Sequence, residues 1–391
     1  YIIKNKIFIV KNKYSDYLMG LFYLLSVFKK IKGGSILKKL GILWICAVVL
    51  LFFTACSQAN SDENVHQDKE EKRTIKIGMI TDTGGIDDKS FNQSAWEGIQ
   101  AFAKANGLTE GKDYKYLQSS SEAEYETNLN QFVQANFDLT FAVGYKLKPA
   151  VEKIAAANPK SNFAIIDEKV DLPNVTSATF KDEEGAFLVG IVAAMTSETN
   201  TVGFIGGEKS ALMQRFESGF EAGVKSINPK AKVLVQYANS FSDAAKGSAI
   251  ASAMYGQNAD VIYVAAGGTG NGVFTEAKNR KAKGENVWVI GSDRDQYKEG
   301  LPENVTLTSM VKGIHTVCEQ LAVLAQNGDL KAGTMEFGLK EGGVGISDTT
   351  ENIGEDTLGQ INDYEQKIIT GEIIVPKTRQ DLDVFLANLK S

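Results

Sequence analysis

From Thr74 onward the apolar residues alternate between two periods. Residues 75–80, 114–118, 139–143, 163–166, 202–205, 233–237, 261–265 and 287–290 are short runs rich in β-branched and aromatic side chains. Turn-forming residues bound them, so each is predicted as a strand. Between them the spacing becomes helical. In residues 90–106, Phe91, Ala95, Ile99 and Phe102 share one face, and Asn106-Gly107 closes the element. Further helices are predicted at 125–135, 148–157, 184–196, 213–226, 244–255, 273–283 and 312–325, with a return segment at 307–309. Strand and helix alternating so regularly predict an α/β protein with two parallel sheets flanked by helices. That much chain exceeds one core, so two lobes are expected.

The front of the chain obeys a different pattern. Residues 40–54 form an apolar run without a charge, preceded by Lys38-Lys39. Fifteen residues fall short of the ~20 needed to span a bilayer, but they suit the core of a signal peptide. Phe53-Thr54-Ala55-Cys56 resembles a lipobox, whose cysteine is acylated; Phe53 stands where an aliphatic residue is usual. The competing reading is an uncleaved anchor helix in which Cys56 is incidental. Residues 1–35, which begin on Tyr1 and carry an apolar patch at 19–28, read as an over-extended, non-native segment with the true start near Leu37. The expected order is therefore 1–35 non-native, 36–55 signal peptide and 56–73 a polar, flexible tether. Either reading of the apolar run puts the folded part outside the cytoplasm.

Charge sharpens this division. The whole chain carries −6, but residues 1–55 hold nine Lys and one acid, leaving 33 basic against 47 acidic residues, or −14, beyond them. Such a surface excludes an electrostatic nucleic-acid partner. Three cysteines (Cys46, Cys56, Cys318) and two histidines (His66, His315) exclude a disulfide scaffold, a four-cysteine zinc site and a histidine-built metal centre. Asp82, Asp87 and Asp88 lack the alternate spacing of a calcium loop, so no metal is expected. Residues 267–272 are glycine-rich, but they match neither dinucleotide nor P-loop spacing. No Gly-x-Ser-x-Gly turn or histidine-paired nucleophile is present, and neither catalysis nor a cofactor is expected.

Ligands of open α/β sheets bind beyond the carboxyl ends of the strands. The residues found there are Asp82 to Asn92, Gly144-Tyr145, Asp167, Ser240-Phe241, Gly267 to Gly270 and Asp293-Arg294-Asp295. Carboxylates, glycines and aromatics are the parts for holding a neutral polyhydroxylated molecule with an aromatic portion. Each also has a plainer reading. Phe91 suits a core position, Asp293 a helix cap or surface acid, and Lys312 a solvated helix lysine that would otherwise neutralise Asp293.

The string Asp82-Thr83-Gly84-Gly85-Ile86-Asp87-Asp88-Lys89-Ser90-Phe91-Asn92, followed by Trp96-Glu97-Gly98, resembles the signature of the basic membrane lipoprotein family. More closely it resembles the purine nucleoside receptor lipoproteins that serve ABC importers. The likeness continues through Arg215-Phe216-Glu217, Ser240 to Lys246, Ala266 to Gly270 and Val287 to Asp295. It implies two Rossmann-like lobes of the type I periplasmic-binding-protein kind, joined by three crossings near Thr199, Gly291 and Leu330. Lobe 1 would then be 74–198 plus 292–330, and lobe 2 199–291 plus 331–391.

The resemblance further implies that Phe91 and Phe241 sandwich a purine, with Asp82, Asn92 and Asp167 around the base. Asp293, Lys312 and backbone near Gly267 would hold the ribose. It implies a monomer that captures guanosine, inosine or adenosine for an ABC permease while anchored to the membrane by lipid on Cys56. The alternatives are a nucleoside-processing enzyme and a binding protein for another small polyhydroxylated ligand. Asp167-Glu168, where relatives often carry paired aspartates, leaves the choice of base open.

Overall fold

The computed structural model describes residues 74–389, which belong to one compact unit. The expected leader, Cys56 and the tether lie outside the described residues. The chain first builds β1 (Ile77–Thr81), α1 (Phe91–Ala105), β2 (Tyr114–Leu117), α2 (Tyr125–Gln134), β3 (Leu139–Val143), α3 (Lys148–Ala157), β4 (Asn162–Ile166) and β5 (Val175–Phe180). After α4 (Asp182–Thr196) the rhythm repeats as β6 (Thr201–Gly206), α5 (Ala211–Ile227), β7 (Lys232–Tyr237), α6 (Ala244–Tyr255), β8 (Val261–Ala265), α7 (Gly270–Lys281), β9 (Trp288–Asp293) and β10 (Thr306–Lys312). The chain continues with α8 (Ile314–Asn327), β11 (Gly333–Phe337), β12 (Val344–Ile346), α9 (Glu355–Ile369) and α10 (Arg379–Asn388).

The strands form two sheets, ordered β2-β1-β3-β4-β5-β11 and β7-β6-β8-β9-β10-β12. Every pairing is parallel except that of β12 with β10. The two orders are the same, so each lobe repeats one doubly wound plan, and β4 of lobe 1 corresponds to β9 of lobe 2. Central strands such as β1, β3 and β8 are buried along their whole length, which explains their continuous apolar sequences. Helix α4 is buried nearly all round and therefore lacks the one-sided pattern of a surface helix. It packs along α5 at very close range. A Cβ on Gly190 would stand 2.3 Å from the Phe220 carbonyl oxygen, and one on Gly223 only 2.0 Å from that of Phe187.

The expected crossing points are corrected by the strand pairing. β9 and β10 both lie in the second sheet and β11 in the first, so residues 292–312 belong to lobe 2 and β11 to lobe 1. Helix α4 packs on α5, β10 and β12 and so also belongs to lobe 2. The chain thus crosses between Lys181 and Asp182, at Gly313, and again in residues 338–343. The displacement has a local cause. β5 (VTSATF) is rich in hydroxyls and reads as loop, yet Thr176 donates to Lys331 O at 2.9 Å and the Ser177 hydroxyl accepts from Val170 N at 3.0 Å. With those groups satisfied, the segment is a buried strand.

Candidate ligand-binding cleft

Register brings the strand ends together. Thr81 pairs with Val143, and Val143 with Ile166, so the next residues, Asp82, Gly144 and Asp167, lie side by side at the edge of lobe 1. In lobe 2, Gly206 pairs with both Tyr237 and Ala265, while Val311 pairs with Asp293. Gly207, Ala266, Asp293 and Lys312 are aligned in the same way. Asp167 and Asp293, at the ends of corresponding strands, both adopt left-handed backbone, with φ of 72° and 70°. The two edges face each other across a cleft of about 550 Å³, its open mouth included.

All eight residues expected at a ligand site line this cleft: Asp82, Phe91, Asn92, Asp167, Phe241, Gly267, Asp293 and Lys312. Phe91 comes from the first turn of α1 in lobe 1, and Phe241 from the loop after β7 in lobe 2. Gly207 is required beside Phe241, because a Cβ there would lie 2.1 Å from the ring. Asp82 accepts from Gly84 N at 2.8 Å and from Asn92 Nδ2 at 2.9 Å. Asp88 accepts from Ser90 N, Asn92 N and Gln93 N, fixing the start of α1 and with it Phe91 and Asn92.

Lys312 needs correction in two respects. It ends β10 rather than starting a helix, and it is 3% exposed. Its direct partners are Asp167 at 2.6 Å and Asp182 at 2.9 Å, not Asp293, whose carboxylate instead accepts from the Ser90 hydroxyl. Its ammonium also lies 5.4 Å from the Phe91 ring centre, 4.9 Å from that of Phe180 and 5.6 Å from that of Phe216. Rings and carboxylates together compensate the burial of this charge.

Burial raises the cleft carboxylates. Asp82 and Asp293 are each pushed up to about 6, against hydrogen bonds to Asp82 and the nearby Lys312 charge on Asp293. Burial likewise lifts Asp167 and Asp182, with Lys312 opposing it; two acids share that one cation. Asn92 Oδ1 and Asp167 Oδ1 are buried acceptors with no partner in the protein. The cleft is therefore rich in acceptors for ligand N–H and O–H groups.

Sequence reasoning left several residues in and around the site without a role. Tyr145, edge-on to Phe241 with ring centres 6.4 Å apart, had a visible signal in its place after a strand. Phe216 stood inside a motif of the family likeness, but helical spacing makes it look like core. Asp182 was hidden among three acids that suit any helix start.

A two-lobed α/β protein with strand-end polar groups gathered between its lobes is built to hold a small ligand in the cleft. Residues 75–379 match the family described as ABC transporter substrate-binding protein PnrA-like. The chain is 51% identical over 335 residues to the CD4+ T-cell-stimulating antigen of Listeria monocytogenes, covering 83% of this chain and 94% of that one. It is 42% identical to the ABC transporter nucleoside-binding protein BmpA of Lactococcus lactis, over 86% of this chain and 99% of that one. A solved solute-binding protein of an ABC transporter system from Aeropyrum pernix K1 superimposes with a TM-score of 0.73 at 27% identity, covering 81% and 97% of the two chains. The chain belongs to the PnrA-like family of ABC transporter substrate-binding proteins, which also includes the basic membrane proteins. It is a family of binding proteins and not of enzymes. Among the described residues no helix is long and apolar enough to cross a membrane.

Proposed function

We propose that this protein captures purine nucleosides in its interlobe cleft and delivers them to an ABC permease, as a monomer held at the outer face of the cell membrane by lipid on Cys56. The observation that carries the ligand class is the union of Phe91 and Phe241, from opposite lobes, with the strand-end carboxylates Asp82, Asp167 and Asp293. The rings stack on a flat base, while the unpartnered oxygens of Asn92 and Asp167 accept from its N–H groups. Asp293 accepts from ribose hydroxyls, Lys312 donates to a ribose oxygen, and Gly267 lets backbone approach the sugar. Crowded buried carboxylates repel a phosphate, so nucleosides are favoured over nucleotides.

Calorimetry on the protein from residue 57 onward tests this. Guanosine, inosine or adenosine should bind, with the corresponding monophosphates at least about 100-fold weaker, an electrostatic cost of roughly 3 kcal/mol. Binding of free sugars or amino acids without any nucleoside would refute the ligand assignment.

A further inference from the structure

Gln296 lies just past Asp293 and is 3% exposed, yet it reaches the cleft with neither of its amide atoms. Its backbone is fixed in lobe 2, where its N–H donates to Ser309 Oγ at 3.0 Å and its carbonyl accepts from Thr306 Oγ1 at 3.1 Å. From that base the side chain spans the lobes. Its Oε1 accepts from Ser292 N at 2.8 Å, holding the turn that aims Asp293. Its Nε2 donates to Lys89 O at 2.8 Å, in the lobe 1 loop that carries Ser90 and Phe91. Lys89 has a left-handed backbone with φ of 61°. The neighbouring Ser90 hydroxyl donates to Asp293, with a longer contact of 3.3 Å to Ser292 O. One uncharged side chain thus ties together the two loops that present Asp293 and Phe91.

We propose that Gln296 is a positioning residue: its amide sets the relative placement of Asp293 and the Ser90–Phe91 loop, and so stabilises the closed cleft without touching the ligand. The proposal rests on the reading of this cleft as a nucleoside site only for its kinetic consequence. Closure around a ligand is favoured by contacts between the lobes, and this bond is one of them. Losing a contact of this kind accelerates release more than it slows capture.

The test uses Gln296→Glu, which keeps the acceptor for Ser292 N and removes the donor to Lys89 O, with Gln296→Met as the second variant. Two readouts are taken on the same protein. Amide hydrogen exchange of the unliganded protein should quicken roughly tenfold in residues 88–93 of lobe 1, across the cleft from the substitution, the size expected for one buried hydrogen bond. Inosine dissociation by stopped flow should quicken by a similar factor while association changes less than about threefold. Exchange confined to residues 291–297 in both variants, with 88–93 unchanged, would show a role internal to lobe 2 and overturn the proposal. Quickened exchange at 88–93 in a protein that binds no nucleoside would keep the positioning role and refute the ligand reading.

Discussion

At the scale of single residues, the cleft is governed by the cost of burying negative charge. Asp82 and Asp293, held up to about 6, are partly protonated in mildly acidic solution. Both have folded values above the ordinary carboxylate value, so their contribution to stability is present at low pH and is lost as pH rises through about 6. Ligand donors act in the opposite sense, because they bond better to an ionised carboxylate. Nucleoside affinity should therefore fall as pH drops below about 6. Binding near pH 6 should also release up to roughly one proton, measured as a dependence of calorimetric heat on buffer ionisation enthalpy. The pH dependence and the proton release should be roughly halved in Asp293→Asn, with the rest carried by Asp82. Asp82 and Asp293 were legible in the sequence because they follow strands. Their unusual acidity was not, because burial depends on the second lobe.

At the scale of elements, helices α4 and α5 set how rigidly lobe 2 holds its half of the site. Asp182, a partner of Lys312, is the first residue of α4, directly after the first crossing. The close approach of α4 to α5 depends on Gly190 and Gly223, each meeting a backbone carbonyl of the facing helix. Gly190→Val should destabilise the protein by about 2–4 kcal/mol in urea unfolding, since backbone cannot yield as a side chain can. A substitution at an exposed position, such as Glu152→Ala, should change it by less than about 0.5 kcal/mol. Most helices and central strands were readable from apolar period. β5 was not, nor were β11, β12, α9 and α10, where polar residues are satisfied by partners far along the chain. Thr176 with Lys331 and Arg379 with Glu221, the latter at 2.7 Å, are examples. The same omission shifted the expected crossings, since a missed strand moves the point where the chain leaves a sheet.

At the scale of the whole molecule, the lobes also meet outside the cleft. Lys146 of lobe 1 pairs with Glu208 of lobe 2 at 2.6 Å and with Glu122 of its own lobe at 2.9 Å. Arg294 of lobe 2 pairs with Glu97 of lobe 1 at 3.1 Å. These partly exposed pairs are worth little individually, but they exist only while the lobes are together. Glu208→Ala should speed nucleoside release about two- to fivefold in low salt, with the difference shrinking as salt rises. Melting of the unliganded protein should stay within about 1 °C of the original, and Lys153→Ala, which breaks a pair within lobe 1, should leave release unchanged. The sequence by itself determined the α/β class, the two-lobed repeat and the strand-end residues, because these follow from local periodicity and from chain order. Tertiary structure alone decided which lobe owns each late strand, that Lys312 pairs with Asp167 and Asp182, and that Gln296 bridges the lobes. Those facts depend on contacts between residues that only sheet register and lobe closure bring within reach, and no local pattern encodes them.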